Sequence, residues 1–202
     1  MAENRHYFLI QYLPARCDES LLAANCISQL HGFLRRHELN NIGVAFPLWS
    51  DTSIGKSISF ISENPNILNS VGNNKYFMEM QQQNYFAISS VNVVPDGLQE
   101  VQFIRNQHIN KLFTGGKTRR LRRAKKRAED RGEIFNPQKV ETNQVCSLFH
   151  PIYLNKLDEA SAKVLNIQKV DTAEVNYSSY CSYGFATTEL HRGTVPDLSP
   201  LI

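Results

Sequence analysis

The chain has 202 residues, 42% of them apolar and 20% charged, and its 22 Lys and Arg against 19 Asp and Glu give a formal charge of +3. This composition is that of a packed soluble protein and excludes extensive disorder, and no run of about 18 uncharged apolar residues is present to span a bilayer. Residues 117–131 hold nine Lys and Arg and two acids, a net +7 that leaves −4 for the remainder, so a uniformly basic coat for a polyanion is excluded and any polyanion contact must be local.

The length suits one large domain or two small ones. Residues 1–6 precede a short apolar stretch that lacks both an h-region and a small-residue cleavage site, so the expected protein is soluble and cytoplasmic. Cys17, Cys26, Cys146 and Cys181 form no C-x-x-C pair and have no His at finger-like spacing. The expectation is free thiols, with no metal and no cofactor.

Residues 6–13 (HYFLIQYL) read as a strand closed by Pro14. Asp18 reads as the N-cap of a helix carrying Leu22, Cys26, Ile27, Leu30, Phe33 and Leu34 at helical spacing and ending near Arg36 or His37. Residues 42–46 (IGVAF) form a short strand stopped by Pro47, and 54–62 contain a second (SISFIS) after the turn residues 50–53. A helix is expected over 65–71, capped by Asn64 and stopped by Gly72. Residues 76–94 become apolar and β-branched in their second half and end as a strand before Pro95-Asp96-Gly97. The order strand, helix, strand, strand, helix, strand is that of a ferredoxin-like (βαββαβ) domain over 1–97. Over 98–202 the expectation is a C-terminal α+β domain: a strand at 100–107, a basic helix at about 118–130, and strands at 145–154, 163–170 and 180–186. The fold class is α+β throughout.

On the basic helix Arg119, Arg122, Arg123 and Lys126 share a face, with Arg120, Arg127 and Arg131 beside it and Lys117 ahead of it. Only Leu121, Ala124 and Ala128 supply a docking seam. Such a helix repels itself until an anion neutralises it, and polyphosphate is the obvious anion. Duplex DNA would call for polar, uncharged side chains among the arginines to read base edges. A bare arginine comb suits the deep, narrow groove of A-form RNA. The competing structural role is a solvated helix facing acidic protein, or a nuclear-localisation cluster.

Several short segments occur in a telling order. Leu30-His31-Gly32-Phe33 precedes Asn41-Ile42-Gly43-Val44-Ala45-Phe46-Pro47. Gly55-Lys56-Ser57-Ile58 and Val91-Asn92-Val93-Val94-Pro95 follow, then Arg105-Asn106-Gln107, the arginine helix, and Ser182-Tyr183-Gly184-Phe185. Together they resemble the CRISPR repeat-processing endoribonucleases of the type I-F (Csy) subtype over nearly the whole chain. The resemblance implies a sequence- and shape-specific nuclease that binds the stem-loop of a CRISPR repeat transcript and cuts at the 3′ base of the stem without metal. It implies, too, that the protein remains on the mature crRNA beside the backbone subunits of a type I-F effector complex. The Pro47-Leu48-Trp49 extension and the Pro200-Leu201-Ile202 end look like transposon-associated members, which would add transposition proteins as partners.

RNA carries its own nucleophile, so the reaction needs chiefly a base for the 2′-OH proton, and histidine suits that transfer near neutral pH. His31 matches the family's helix histidine; its competing role is a cap at a helix end. Tyr183 matches the signature tyrosine, implied to orient the histidine or to pack on the nucleotide at the cut. The family's serine, implied to hold the ribose hydroxyl, has no clear counterpart. Ser161 is the serine available, while direct spacing puts Lys156 there, where a cation could stabilise the phosphorane. Arg105 and Gln107 read as two residues on one face of a strand, matching a base-reading pair for guanine and adenine. Arg120 and Arg123 best fit the arginines nearest the cut. The departure at the serine leaves a second class open, a catalytically weak or inactive subunit that binds the RNA stem as architecture. A metal-dependent nuclease would need clustered carboxylates, and no such cluster stands out.

Overall fold

The computed structural model describes residues 4–111, 114–134, 147–154 and 163–202, with side chains described throughout these except at 110–120. Among the described residues it is an α+β protein with two five-stranded sheets and four α-helices.

In the first sheet β1 (His6–Tyr12) lies between β3 (Ser57–Ser62) and β4 (Phe86–Ile88), with β2 (Gly43–Ala45) outside β3. The short β5 (Asn92–Val93) pairs with the first two residues of β1, and all neighbours are antiparallel. Alternation in β1 buries Phe8, Ile10 and Tyr12, whereas all six residues of β3 are buried. Helix α1 (Glu19–His37) starts where the Asp18 carboxylate accepts the Leu21 N–H at 2.9 Å, and it ends in left-handed Glu38. Its Cys26, Ile27, Leu30 and Leu34 are buried. Helix α2 (Pro65–Gly72) is capped by Asn64, whose side chain accepts from the N–H groups of Asn66 and Ile67.

A further helix, α3 (Lys75–Gln82), occupies the start of the 76–94 stretch that the sequence suggested would run to a strand. Asn74 re-caps the chain after α2 and Phe77 turns inward, so the helix completes its turns before Asn84, at φ 57, releases the chain into β4.

The second sheet has the order β10 (Val195–Pro196), β6 (Glu100–Arg105), β8 (Lys163–Thr172), β7 (His150–Leu154), antiparallel throughout. The two-residue β9 (Ala186–Thr187) runs parallel to the end of β6. A 3-10 turn (Gln107–Lys111) leads to α4 (Thr114–Asp130), which starts four residues earlier than expected. Two expected strands are corrected. The 100–107 strand stops at Arg105, where Asn106 turns its backbone to the Asn166 carbonyl and Gln107 enters the 3-10 turn. The 180–186 strand is mostly a turn, because Gly184 adopts φ +78 and the Gly184 N–H closes onto the Cys181 carbonyl at 2.8 Å. Of the expected 145–154 strand, residues 150–154 form β7, residues 147–149 are not strand, and residues 145 and 146 lie outside the described residues.

Buried side chains of both sheets form one continuous cluster. At its centre Phe46 meets the edge of Phe103 at 5.4 Å and stacks with Phe185 at 6.1 Å, while Trp49 bridges Phe103 and His150. Helix α1 crosses to the second sheet as well, packing on β7, with the Ser20 hydroxyl donating to the Pro151 carbonyl at 2.9 Å. Cys17, Cys26 and Cys181 are free thiols, and Cys146 lies outside the described residues. No helix among the described residues is long and apolar enough to cross a membrane.

Candidate active site

His31 lies within α1, six residues before the helix ends at His37, so it caps nothing. Leu30, beside it in sequence, is fully buried, while His31 is half-buried at the margin of the core. Its Nδ1 is 2.8 Å from the Ser182 carbonyl oxygen. A carbonyl only accepts, so Nδ1 carries the proton and, in the neutral ring, the lone pair resides on Nε2.

The partner of His31 is the 180–185 turn, which is tied down on several sides. The Val44 N–H donates to the Gly184 carbonyl at 2.8 Å, which occupies the outer edge of β2. The Tyr180 hydroxyl donates to the Thr194 carbonyl at 2.5 Å, and burial raises its phenol well above the ordinary value, which preserves it as a donor. Gly184 fits because it has no side chain: a Cβ there would lie 2.5 Å from Val44 Cγ2 and 3.0 Å from Leu30 Cδ2. This close approach sets the Tyr183 ring on the imidazole, with centroids 4.1 Å apart and planes 8° from parallel. Tyr183 is only 5% exposed, so little of it is left for a nucleotide.

Two cations complete the group. Arg105 follows Val101 and Phe103 on the buried face of β6, and its guanidinium carbon lies 5.0 Å from the Tyr183 ring centroid. With His31 covering one face of the ring, Arg105 takes the other face or the rim. Lys163, the first residue of β8, places Nζ 2.6 Å from the Tyr183 hydroxyl. At 4.8 Å from the ring centroid this ammonium is a donor to the phenol tip rather than a cation over the face. Gln107 no longer shares a strand with Arg105, yet the two side chains meet: with its amide oxygen turned inward, Gln107 accepts from Arg105 Nε at 3.3 Å and from Nη2. A cavity of about 270 Å³ opens beside this pair toward His108 and His191.

Four chain segments thus converge: α1, the end of β6, the start of β8 and the 180–185 turn. Among the residues singled out in the sequence, His31, Tyr183, Arg105 and Gln107 come together. Lys163 was missed, because a lysine opening an amphipathic strand carries no signal until the fold sets it against a tyrosine twenty positions later. Ser161 and Lys156 lie outside the described residues. On α4, Arg122, Arg123, Lys126 and Arg127 are exposed, while Ala128 is buried and Leu121 and Ala124 are half-buried, which leaves a narrow apolar seam. Helix α4 contacts the 3-10 turn that follows Arg105. The side chains of Lys117, Arg119 and Arg120 fall among those not described. Among the described residues no three His, Cys, Asp or Glu side chains gather as a metal site would require.

Residues 7–198 match the family model of the CRISPR-associated protein Cas_Csy4. The chain belongs to the Cas_Csy4 family. No curated protein matches it. The Cas_Csy4 family comprises CRISPR-associated repeat-processing proteins and is generally one of endoribonucleases. Membership sets this chain in the context of CRISPR repeat RNA and its effector complex, and it does not extend to transposition proteins as partners.

Proposed function

We propose that this protein is a sequence- and shape-specific endoribonuclease that binds the stem-loop of a CRISPR repeat transcript and cuts pre-crRNA at the 3′ base of the stem. It then stays on the mature crRNA as a subunit of a type I-F effector complex. The observation that carries the reading is the His31 pair: an imidazole held flat by Tyr183 and fixed by Ser182 in the tautomer that offers Nε2. In the proposed step Nε2 takes the proton of the 2′-OH while the 2′-oxygen bonds to phosphorus. The P–O5′ bond breaks with its electron pair on O5′, which takes a proton from water, and the imidazolium returns its proton to the solvent. The products are a 2′,3′-cyclic phosphate and a 5′-OH, with His31 and water moving the protons.

In this reading residues 1–97 form a ferredoxin-like unit, supported by a sheet with β1 between β3 and β4, and their task is to hold His31. Residues 98–202 recognise the RNA. Arg105 and Gln107 grip bases at the foot of the stem, and the exposed cations of α4 line its groove. Tyr183 acts by orienting His31, since its exposure leaves no platform for a base.

The second reading, a catalytically inactive subunit that keeps the stem-loop as architecture, is favoured by the departure at the family's serine. One experiment separates the two: repeat RNA incubated with the protein and with His31→Ala, with and without EDTA, followed by end-group analysis. The expected result is cleavage in EDTA with cyclic-phosphate ends, a loss of about 10²–10⁴ in rate for His31→Ala, and unchanged stem-loop affinity. Undiminished cutting by the variant would sink the assignment of His31. A strict magnesium requirement would refute the mechanism, and binding without cutting would establish the architectural subunit.

A further inference from the structure

We propose that Lys163 is a catalytic residue of this site: its ammonium holds a non-bridging oxygen of the scissile phosphate and stabilises the charge that builds there as the 2′-oxygen adds to phosphorus. The proposal rests on the endoribonuclease reading and deepens it, giving to Lys163 the role that the sequence left between Ser161 and Lys156.

Three observations carry it. The first is placement. The Lys163 side chain is exposed, as a group that meets a substrate must be, yet its Nζ is fixed at 2.6 Å from the hydroxyl of the tyrosine that carries His31 on its face. The phenol is therefore a rigid spacer between the base and the cation. A lysine ordinarily loses rotamer freedom when it binds an anion, and here the hydroxyl has already restricted it.

The second is charge. The other lysine on β8, Lys169, is neutralised by Asp197 at 2.8 Å, whereas among the described residues no carboxylate pairs with Lys163. A second cation, Arg105, lies 5.0 Å from the centroid of the same ring. Two like charges converging on one tyrosine repel each other, and an anion between them relieves that repulsion.

The third is the chemistry of the step. Addition of the 2′-oxygen gives phosphorus five oxygen ligands and raises the negative charge on its non-bridging oxygens. A positioned cation is worth more to that state than to the ground-state diester. His31 can move the proton and has nothing to offer this charge while it is neutral. Lys163 supplies the missing part. Arg105 is committed in addition to Gln107, which makes Lys163 the cation whose interaction can change most along the reaction.

The test compares the protein, Lys163→Met and Lys163→Arg in single-turnover cleavage of repeat RNA. Affinity is measured for a stem-loop made uncleavable by a 2′-deoxy substitution at the cut, and thermal unfolding is followed for each protein. The expected result is cleavage about 100-fold slower in Lys163→Met, with affinity and melting unchanged and most of the rate restored in Lys163→Arg. Sulfur in place of a non-bridging oxygen at the scissile phosphate should slow the unaltered protein more than Lys163→Met. A full rate in Lys163→Met, a loss of rate matched by an equal loss of affinity or of melting temperature, or identical sulfur effects would each overturn the assignment while leaving the nuclease intact. Failure of the unaltered protein to cut would instead remove the endoribonuclease reading, and this proposal with it.

Discussion

Gly184 shows how much of the site depends on a single missing Cβ. Its positive φ alone costs an alanine about 1–3 kcal/mol, and the contact with Val44 and Leu30 adds overpacking of similar size. Gly184→Ala should therefore lower stability by about 2 kcal/mol or more, the sum of the lower ends of those ranges, as measured by denaturant unfolding. It should slow RNA cleavage as well, since Tyr183 cannot keep its place on His31 once the next residue is pushed out. His31, Tyr183 and Arg105 were legible as residue types in an order. Their mutual contacts were not, because 151 positions separate His31 from the carbonyl that selects its tautomer. Lys163 was invisible for the same reason.

At the scale of elements, local chemistry decided what could be read. Helix α1 announced itself by an acidic cap and apolar spacing, and β3 by its bounded run. Helix α3 was hidden by the aromatic residues Tyr76, Phe77, Tyr85 and Phe86, which suit strands as well as helices. The 180–186 segment read as a strand for a like reason, although Gly184 was the clue to a turn. Helix α4 was legible from charge, and its end follows from Gly132 at φ +67: the Gly132 and Glu133 N–H groups return to the Glu129 and Ala128 carbonyls. Along this helix Lys125 pairs with Glu129 at 3.8 Å, a weak exposed contact that leaves the comb strongly positive. Changing Arg122, Arg123, Lys126 and Arg127 together to glutamine should weaken stem-loop binding and reduce the slope of log affinity against log salt by about three. Filter binding across a salt series measures it, and an unchanged slope would mean that α4 faces something other than RNA.

At the scale of the molecule, two polar links join segments remote in sequence. Arg5, just ahead of β1, binds the Glu100 carboxylate at the start of β6 through Nη1 and Nη2, with side chains only 10% and 9% exposed. Arg5→Met would strand a buried carboxylate and should cost about 3–5 kcal/mol; calorimetry or urea unfolding would show it, and a loss below 1 kcal/mol would mean that water reaches Glu100. Near the C-terminal end, burial pushes the Asp197 carboxyl up, but hydrogen bonds from Lys169 Nζ at 2.8 Å and from the Ser199 N–H at 3.0 Å outweigh it and hold the carboxyl below its ordinary value. A group depressed by folding stabilises the protein above its unfolded pKa, and that contribution is lost as the pH falls through the folded one. Asp197→Asn should thus be less stable than the unaltered protein at neutral pH, and the gap should close on acidification below the ordinary carboxylate range. Melting curves over a pH series would record it, and a gap that stayed constant would refute the linkage.

The carbonyl that fixes the tautomer of His31 lies 151 residues further along the chain and reaches its place only after that stretch has been made. During synthesis, α1 leaves the ribosome well before residue 182 does, so the imidazole waits without its anchor and without the ring that holds it flat. On the proposed function, the 180–185 turn is in this sense the arming step. On the function proposed above, a nascent or truncated chain would carry its basic helix before its proton acceptor was finished, and would bind transcripts it could not cut.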